Sequence, residues 1–167
     1  MRRPALALAA ALALAACGAP PRAESDWEKR NAEGTPALAE EDRAPPAYPQ
    51  NANLVQFRVP DTEGFRYYVD RTTLSVEPKE GLVRYVLVAR SSEGAQNVTY
   101  EGMRCQSAEN RVFAVGQSDA TWIAARGAWR PISSPRHLTL YRDFFCPQSE
   151  AVGTTADAVR ALERGGR

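Results

Sequence analysis

The side chains with the most obvious chemical potential are few. The sequence has three cysteines and one histidine, His137. That composition leaves too few ligands for a zinc site of the usual spacing, so we predict neither a metal nor another cofactor. No glycine-rich phosphate loop, nucleophile elbow or His-Glu-x-x-His stretch occurs. Asp70 and Glu101 could pair for glycoside hydrolysis, but such carboxylates are more often structural, and we predict no catalytic residue.

Cys17 follows an apolar segment at the N-terminus. Residues 4–16 form a run of thirteen residues after two arginines. A membrane-spanning helix needs roughly 20 apolar residues, whereas the core of a secretory signal peptide needs about 7–15. The run ends in Leu14-Ala15-Ala16-Cys17-Gly18, which resembles the lipobox of bacterial lipoproteins. The resemblance implies a lipoprotein signal peptide over residues 1–16 and acylation of Cys17, for example with palmitate.

Acylation at Cys17 would make the membrane a partner of the protein. Each buried methylene contributes about 0.8 kcal/mol, so one chain holds only marginally and two or three hold durably. Gly18 occupies the position at which an aspartate tends to retain lipoproteins in the inner membrane. We therefore expect a lipid anchor in the cell envelope, in the outer membrane and facing the periplasm. Display on the cell surface stays open.

Two cysteines remain beyond the lipobox, Cys105 and Cys146. An even pair in an oxidising compartment predicts a disulfide, here between the end of a strand and the end of a helix. The alternative is a redox or nucleophilic thiol with His137 as its only histidine base. No second cysteine lies two residues from either thiol, which favours the disulfide.

A group of arginines is interleaved with aromatic residues, and it defines the candidate binding residues. Arginine beside aromatics suits the recognition of carboxylate or phosphate through forked hydrogen bonds and stacking. The same residues, with Asp143, could instead form an internal ion-pair network that pins a helix to a sheet, and we prefer this structural interpretation. The candidates are Glu101, Arg104, Trp122, Trp129, Arg130, Tyr141 and Arg142.

Length and composition indicate how these residues are carried. The chain has 167 residues with 44% hydrophobic and 25% charged residues, which suits one globular domain. Lys and Arg total 21 against 20 acidic residues, which argues against a nucleic-acid partner. Residues 18–50 hold six of the twelve prolines and a net charge of −3. We therefore predict a disordered, proline-rich acidic tether over residues 17–50 and a single domain over residues 51–165.

Alternation of apolar and polar residues predicts a series of short strands. The run 82–91 is apolar on both sides, which is typical of a central strand covered on both faces. Short turns between consecutive strands favour antiparallel pairing. The predicted strands cover residues 54–59, 65–70, 74–77, 82–91, 96–105, 110–116 and 121–124.

Helical spacing takes over near the C-terminus. Ser134 and Pro135 suit the cap and the first position of a helix that Pro147 ends. A second helix is predicted over residues 155–164, capped by Thr154 and ended by Gly165, with Val159 and Leu162 inward. The fold class is therefore α+β: an antiparallel meander sheet of about five to seven strands, with one or two C-terminal helices packed on one face.

Several short motifs resemble the family of small proteobacterial lipoproteins named after a cryptic neisserial protein. The likeness runs from about Trp27, and then from Asn53, to the C-terminal helix, and it includes both domain cysteines. It implies an exported envelope protein and brings no catalytic residue set. The motifs are Tyr68-Val69-Asp70, Leu74-Ser75-Val76, Val83-Arg84-Tyr85, Val88-Ala89-Arg90-Ser91, Gly94-Ala95, Asn97-Val98-Thr99-Tyr100-Glu101-Gly102, Arg104-Cys105, Trp129-Arg130-Pro131-Ile132, Leu140-Tyr141-Arg142-Asp143 and Phe145-Cys146-Pro147.

The function expected from these observations is that of a non-catalytic envelope lipoprotein. Its domain would bind another protein or an envelope component through the side that carries arginine, tryptophan and tyrosine. One alternative is a surface-displayed adhesin, because the strand–turn–strand course is similar to that of small adhesin lipoproteins. A less favoured alternative is an enzyme acting on cell-wall glycan or peptide through Asp70 or Glu101.

Overall fold

A computed structural model describes residues 44–166 of the chain. Eight strands and two α-helices lie in this part, together with a π-helical turn and three short 3₁₀ turns. The strands are β1 (Leu54–Phe57), β2 (Phe65–Asp70), β3 (Ser75–Glu77), β4 (Leu82–Ser91), β5 (Gln96–Arg104), β6 (Glu109–Gly116), β7 (Trp122–Ala124) and β8 (Arg130–Pro131). The helices are α1 (Pro135–Thr139), the π-helical turn Leu140–Phe145 that continues it, and α2 (Thr155–Glu163).

All strand pairs in the sheet are antiparallel, and the order is β1-β2-β4-β5-β6-β7. The short strand β3 shares one edge of β4 with β2, and β8 shares one edge of β6 with β7. The predicted α+β class with a meander sheet and C-terminal helices is therefore confirmed. The two-residue strand β8 was not predicted from the sequence, because a pairing this short carries no periodic signal.

Strand β4 presents apolar residues to both faces of the sheet, as its sequence predicts. Val83, Tyr85 and Leu87 point toward α1, the π-helical turn and α2, and we call this side the helix face. Val86 and Val88 point to the opposite side, the open face. The helix-face core is the larger of the two and is completed by Phe57, Tyr67, Val69, Met103, Leu140, Phe144, Phe145, Ala158 and Leu162.

The smaller apolar cluster on the open face is partly covered by residues that precede β1. The Tyr48 ring lies 5.3 Å from the Trp122 ring, and the Tyr48 hydroxyl donates to the Gln117 carbonyl at 3.0 Å. Trp122 Nε1 donates to the carbonyl of Pro46 at 2.9 Å. A Cβ at Gly116 would lie 2.8 Å from the Tyr48 ring, so glycine is what allows this approach.

The predicted signal peptide, and the part of the predicted tether before residue 44, lie outside the described residues. Pro46 and Tyr48, which composition also places in the tether, pack on the sheet. The difference has a physical cause: Tyr48 is one of two aromatic residues in an otherwise polar, proline-rich stretch. Its ring packs against Trp122 and its hydroxyl donates to the Gln117 carbonyl, so this end of the stretch gains burial that the composition as a whole does not offer.

The helices begin and end close to where the sequence predicts. Thr154 caps α2 by accepting a hydrogen bond from the Asp157 amide at 3.1 Å, and Gly165 follows the helix with a φ of 82°. Leu162 and Ala158 are its buried residues, whereas Val159 is only half-buried. After α1 the chain changes from α-helical to π-helical hydrogen bonding. The Cys146 amide donates to the carbonyl of Tyr141, five residues earlier, at 2.9 Å.

The predicted disulfide between Cys105 and Cys146 is present. It joins the residue after β5 to the residue after the π-helical turn, and both cysteines are almost fully buried. The Tyr141 hydroxyl donates to the carbonyl of Cys105 at 2.9 Å. The junction between helix and sheet is therefore held both covalently and by a hydrogen bond.

We expect the double substitution Cys105→Ala and Cys146→Ala to lower the free energy of unfolding by about 4 kcal/mol. The bond spans 41 residues, and closing a loop of this length removes that much entropy from the unfolded chain in the standard treatment. Urea unfolding of the full chain carrying Cys17→Ser measures the change. Wild-type protein reduced with dithiothreitol is the control and should match the double variant; an unchanged midpoint would contradict the assignment.

Candidate functional site

The seven candidate binding residues do not form one cluster, because the sheet divides them between its faces. Glu101 lies on the helix face, and Tyr141 of the π-helical turn packs against the same face and donates to the Cys105 carbonyl. Arg104 is three residues from Glu101 in the same strand, and an odd separation places the two side chains on opposite faces. Trp129 and Trp122 lie with Arg104 on the open face, toward different ends of the sheet. Arg130 and Arg142 are exposed to solvent.

The two carboxylates considered for glycoside hydrolysis also lie on opposite faces. Glu101 is directly opposite Tyr85 on the helix face, whereas Asp70 follows Val69 in β2 and points the other way. Both are only 1% exposed. Asp70 Oδ1 accepts hydrogen bonds from the amide and the hydroxyl of Thr72, at 2.8 and 2.6 Å, and so stabilises a turn. The two carboxylates therefore do not face a common substrate position.

A buried polar network surrounds Glu101, and we call Tyr85, Thr99, Glu101, Ser134 and His137 the Glu101 network. Glu101 Oε1 accepts from the Thr99 hydroxyl at 2.7 Å. Its Oε2 accepts from the Tyr85 hydroxyl at 3.1 Å and lies 2.7 Å from His137 Nε2. His137 Nδ1 in turn lies 2.7 Å from the Ser134 hydroxyl. Both carboxylate oxygens are thus satisfied inside the core.

The electrostatics of the Glu101 network keep the carboxylate ionised. Burial raises the pKa of Glu101, but the hydrogen bond and charge of His137, with help from Thr99 and Arg136, outweigh burial and hold it below its ordinary value of 4.5. Burial first, and then the charge and hydrogen bond of Glu101, raise the pKa of Tyr85 well above its ordinary value of 10.0. The network therefore holds a carboxylate beside a neutral phenol at physiological pH.

The order serine, histidine, carboxylate is that of a hydrolase triad, but the imidazole is oriented the other way round. In the Ser-His-Asp triad the serine meets Nε2 and the carboxylate meets Nδ1. Here Ser134 meets Nδ1 and Glu101 meets Nε2. Because Ser134 bonds to His137, it makes no side-chain bond that caps α1, although it occupies the predicted cap position. The arrangement ties α1 to β4 and β5, as a structural network would.

Arginines and aromatic rings meet on the open face, at the end of the sheet near β8. We call Arg84, Arg104, Arg111, Phe113 and Trp129 the arginine–aromatic cluster. The Arg104 guanidinium lies 4.2 Å from the centre of the Trp129 ring. Arg84 and Arg111 lie 5.9 and 5.5 Å from the Phe113 ring, which packs edge-on against Trp129. Each distance suits a cation–π interaction.

Backbone features bring these rings onto the sheet. Gly102 lies between Arg84 and Arg111 in the register, and a Cβ there would lie 2.6 Å from the Phe113 ring and 3.0 Å from Trp129. Only a residue without a side chain leaves this room. The pairing of β5 with β6 also shifts by one residue, since Tyr100 faces Ala114 but Glu101 faces Val112, and Phe113 is left as the extra residue of a bulge.

The charges of the arginine–aromatic cluster are partly balanced by acids. Arg84 is buried and forms an ion pair with Glu77. Glu109 lies opposite Arg104 in the register, is 7% exposed, and accepts from the Ser107 hydroxyl at 2.7 Å. Arg104, Arg111 and Phe113 are half-buried, so each keeps surface that a partner could contact. Arginine and tryptophan are residues that often anchor protein interfaces.

Among residues 44–166, none of the helices has the length and apolar character that crossing a membrane requires. No three side chains of histidine, cysteine, aspartate or glutamate within this range converge to hold a metal ion.

Sequence reasoning missed several members of these two groups of residues. The sequence offered His137 only as a possible base for a reactive thiol, whereas in the structure it is 6% exposed and both of its ring nitrogens are engaged. Tyr85, Arg84 and Phe113 gave no separate signal, because each reads as an ordinary strand residue. Arg84 and Arg111 flank Gly102 in the strand register. Knowledge of that register would have identified them, but the sequence alone does not give the register.

Fold and site together define a small disulfide-bonded α+β domain with an arginine-bearing sheet face and a helix-covered core. The chain belongs to the CNP1-like family, whose family model matches residues 33–163. This confirms the resemblance drawn from the short motifs. No curated protein and no solved structure matches the chain.

We expect Glu101→Gln to lower the free energy of unfolding by about 2 kcal/mol, because an amide cannot accept all the hydrogen bonds that the carboxylate receives and so leaves a buried donor unsatisfied. The loss should depend on pH. The folded state lowers the pKa of Glu101 below 4.5, so its contribution is fully present above pH 4.5 and is lost as the pH falls through the folded-state value. The difference between wild type and variant should therefore shrink in acid.

Urea unfolding of both proteins between pH 3 and pH 7 measures this difference. Arg142→Ala is the matched control, because Arg142 is exposed and its replacement should change stability by less than about 0.5 kcal/mol at every pH. A wild-type advantage that is constant or grows toward low pH would contradict the assignment of Glu101 as an ionised carboxylate in the folded protein.

Proposed function

We propose that this protein is a lipid-anchored cell-envelope lipoprotein whose domain binds a partner without catalysing a reaction. Residues 1–16 would be the signal peptide, Cys17 the acylated residue, and the following proline-rich stretch the tether. The anchor would lie in the outer membrane, facing the periplasm. The lipobox, the buried disulfide and the family membership support this proposal.

The arginine–aromatic cluster is the observation on which the binding role rests. Its arginines are positioned on aromatic rings that are themselves packed into the sheet, so their side chains lose little freedom when a partner arrives. A guanidinium can then offer forked hydrogen bonds to a carboxylate or phosphate on the partner. A protein or an envelope component with acidic groups is the partner that this chemistry suits.

A surface-displayed adhesin is the main alternative, since a lipid anchor and a tether would serve it equally well. Treatment of intact cells with protease separates the two. Release of the domain supports surface display, whereas protection until the outer membrane is permeabilised supports the periplasmic location.

An enzyme acting on cell-wall glycan or peptide is less favoured. Asp70 and Glu101 point to opposite faces and are both engaged in hydrogen bonds. The isosteric changes Asp70→Asn and Glu101→Gln test this alternative better than alanine, because both side chains are buried. A phenotype lost in a variant that still folds would favour it.

We expect the protein isolated from the membrane fraction to have the mass of residues 17–167 plus its acyl chains, less two hydrogens for the disulfide. Intact-mass spectrometry measures all three changes at once. Cys17→Ser is the control and should abolish acylation and move the protein out of the membrane fraction. An uncleaved, unmodified wild-type chain would contradict the lipoprotein assignment.

Replacement of Arg104 and Arg111 by alanine should reduce capture of the partner at least tenfold, because the positive charges that would contact it are lost. Crosslinking in intact envelopes, followed by quantitative mass spectrometry of the adducts, measures the loss. Arg104→Lys should recover only part of it, since lysine keeps the charge but not the planar fork.

Arg142→Ala supplies the matched control, an exposed arginine on the other side of the sheet. Circular dichroism of each variant verifies the fold. Adducts that persist unchanged without Arg104 and Arg111, or that disappear equally with Arg142→Ala, would remove the arginine–aromatic cluster as the binding surface.

A further inference from the structure

A second feature of the open face lies at the other end of β4, about 20 Å along the strand from Arg84. A groove of about 550 Å³ opens there, where β4 ends and β2 and β5 begin. Arg66, Tyr68, Arg90 and Gln96 line it from the strands, and Ser92 lines it from the turn. It is separate from the arginine–aromatic cluster and is not used by the function proposed above.

Two arginines lie directly opposite each other in this groove. Arg66 of β2 pairs with Arg90 of β4 in the register. Like charges directly opposite each other destabilise a sheet. None of the residues that line the groove is acidic, so the lining itself does not neutralise the pair. The exposed Glu63 and Glu93 lie in the flanking turns, outside the lining.

Among the described residues, neutral groups hold Arg90 in place. Its Nε donates to Gln96 Oε1 at 2.8 Å, and its Nη2 donates to Asn51 Oδ1. The guanidinium also lies 5.0 Å from the centre of the Tyr68 ring. These contacts fix the side chain without cancelling its charge, which is what a preorganised anion-binding group needs.

Arg66 is exposed, and among residues 44–166 it has no ion-pair or hydrogen-bond partner. The groove therefore combines one fixed guanidinium with one that is free to close over a ligand. Close to them, the Ser92 amide donates to the Gly64 carbonyl at 2.7 Å, which joins the two turns at the rim and leaves the Ser92 hydroxyl exposed.

We propose that this groove binds a phosphoryl group through Arg66 and Arg90. Two cations match a phosphate monoester, which carries a charge of about −1.5 to −2 at neutral pH, better than a carboxylate with a single charge. Its terminal oxygens accept forked hydrogen bonds from both guanidiniums. The groove has room for more than inorganic phosphate, which suits a phosphate carried on a larger group.

Calorimetric titration of the full chain in detergent, at constant ionic strength, tests the proposal. The probes are inorganic phosphate, glycerol 3-phosphate to represent a lipid headgroup, glucose 1-phosphate to represent a phosphorylated sugar, and glucuronate as the carboxylate comparison. At least one phosphate probe should bind ten or more times more tightly than glucuronate, and the tightest of them identifies the source. Absence of binding by all three, or equal binding of glucuronate, overturns the proposal.

Arg66→Ala should weaken binding of the phosphate probe at least tenfold, and because Arg66 has no partner among the described residues the variant should fold normally. Arg90→Ala should have the same effect, and Arg66→Lys a smaller one. Arg142→Ala and the Arg104/Arg111 double variant should bind as wild type does. Undiminished binding by Arg66→Ala overturns the proposal. Failure of the phosphoryl-binding proposal would leave the proposed role of the arginine–aromatic cluster unaffected.

Discussion

The need to cover β4 on both faces is the constraint from which the rest of the structure follows. A strand with Val83, Tyr85 and Leu87 on one side and Val86 and Val88 on the other cannot lie at a solvent-facing surface without a large loss of hydrophobic stabilisation. The helices cover one side. The other is covered by less: two aromatic residues, Tyr48 and Trp122, and an adjoining cluster of rings under arginines. Among residues 44–166, the open face is therefore covered less completely than the helix face.

Burial of a carboxylate in the larger core fixes where the C-terminal helices can lie. Glu101 needs donors from several directions, and they come from β4, from β5 and from α1. Displacement of α1 would remove the histidine and leave a charge in an apolar surrounding, which is costly. The disulfide holds the far end of the same helical segment. Polar and covalent attachments thus act on the two ends of one short element.

Local sequence patterns predicted most of the fold, because alternation along a strand and spacing along a helix show which side chains are buried. The observed ranges of β2 and β4 agree with the predicted strands to the residue. Thr154 and Gly165 mark the ends of α2, as capping chemistry requires. The contacts that form the Glu101 network and the arginine–aromatic cluster join residues that are far apart in sequence. Glu101 and His137 are 36 residues apart, and the one-residue bulge at Phe113 changes which side chains are neighbours. Sequence spacing therefore grouped seven residues that the sheet separates.

In the proposed lipoprotein, docking of Pro46 and Tyr48 on the sheet shortens the tether between domain and bilayer. Pro46 lies 29 positions after Cys17, and a fully extended chain of that length reaches at most about 100 Å. The proposed lipid would therefore confine the domain to a shell of that thickness next to its membrane. Pro46 contacts Trp122 on the open face, so the tether joins the domain on the surface that carries both groups of arginines.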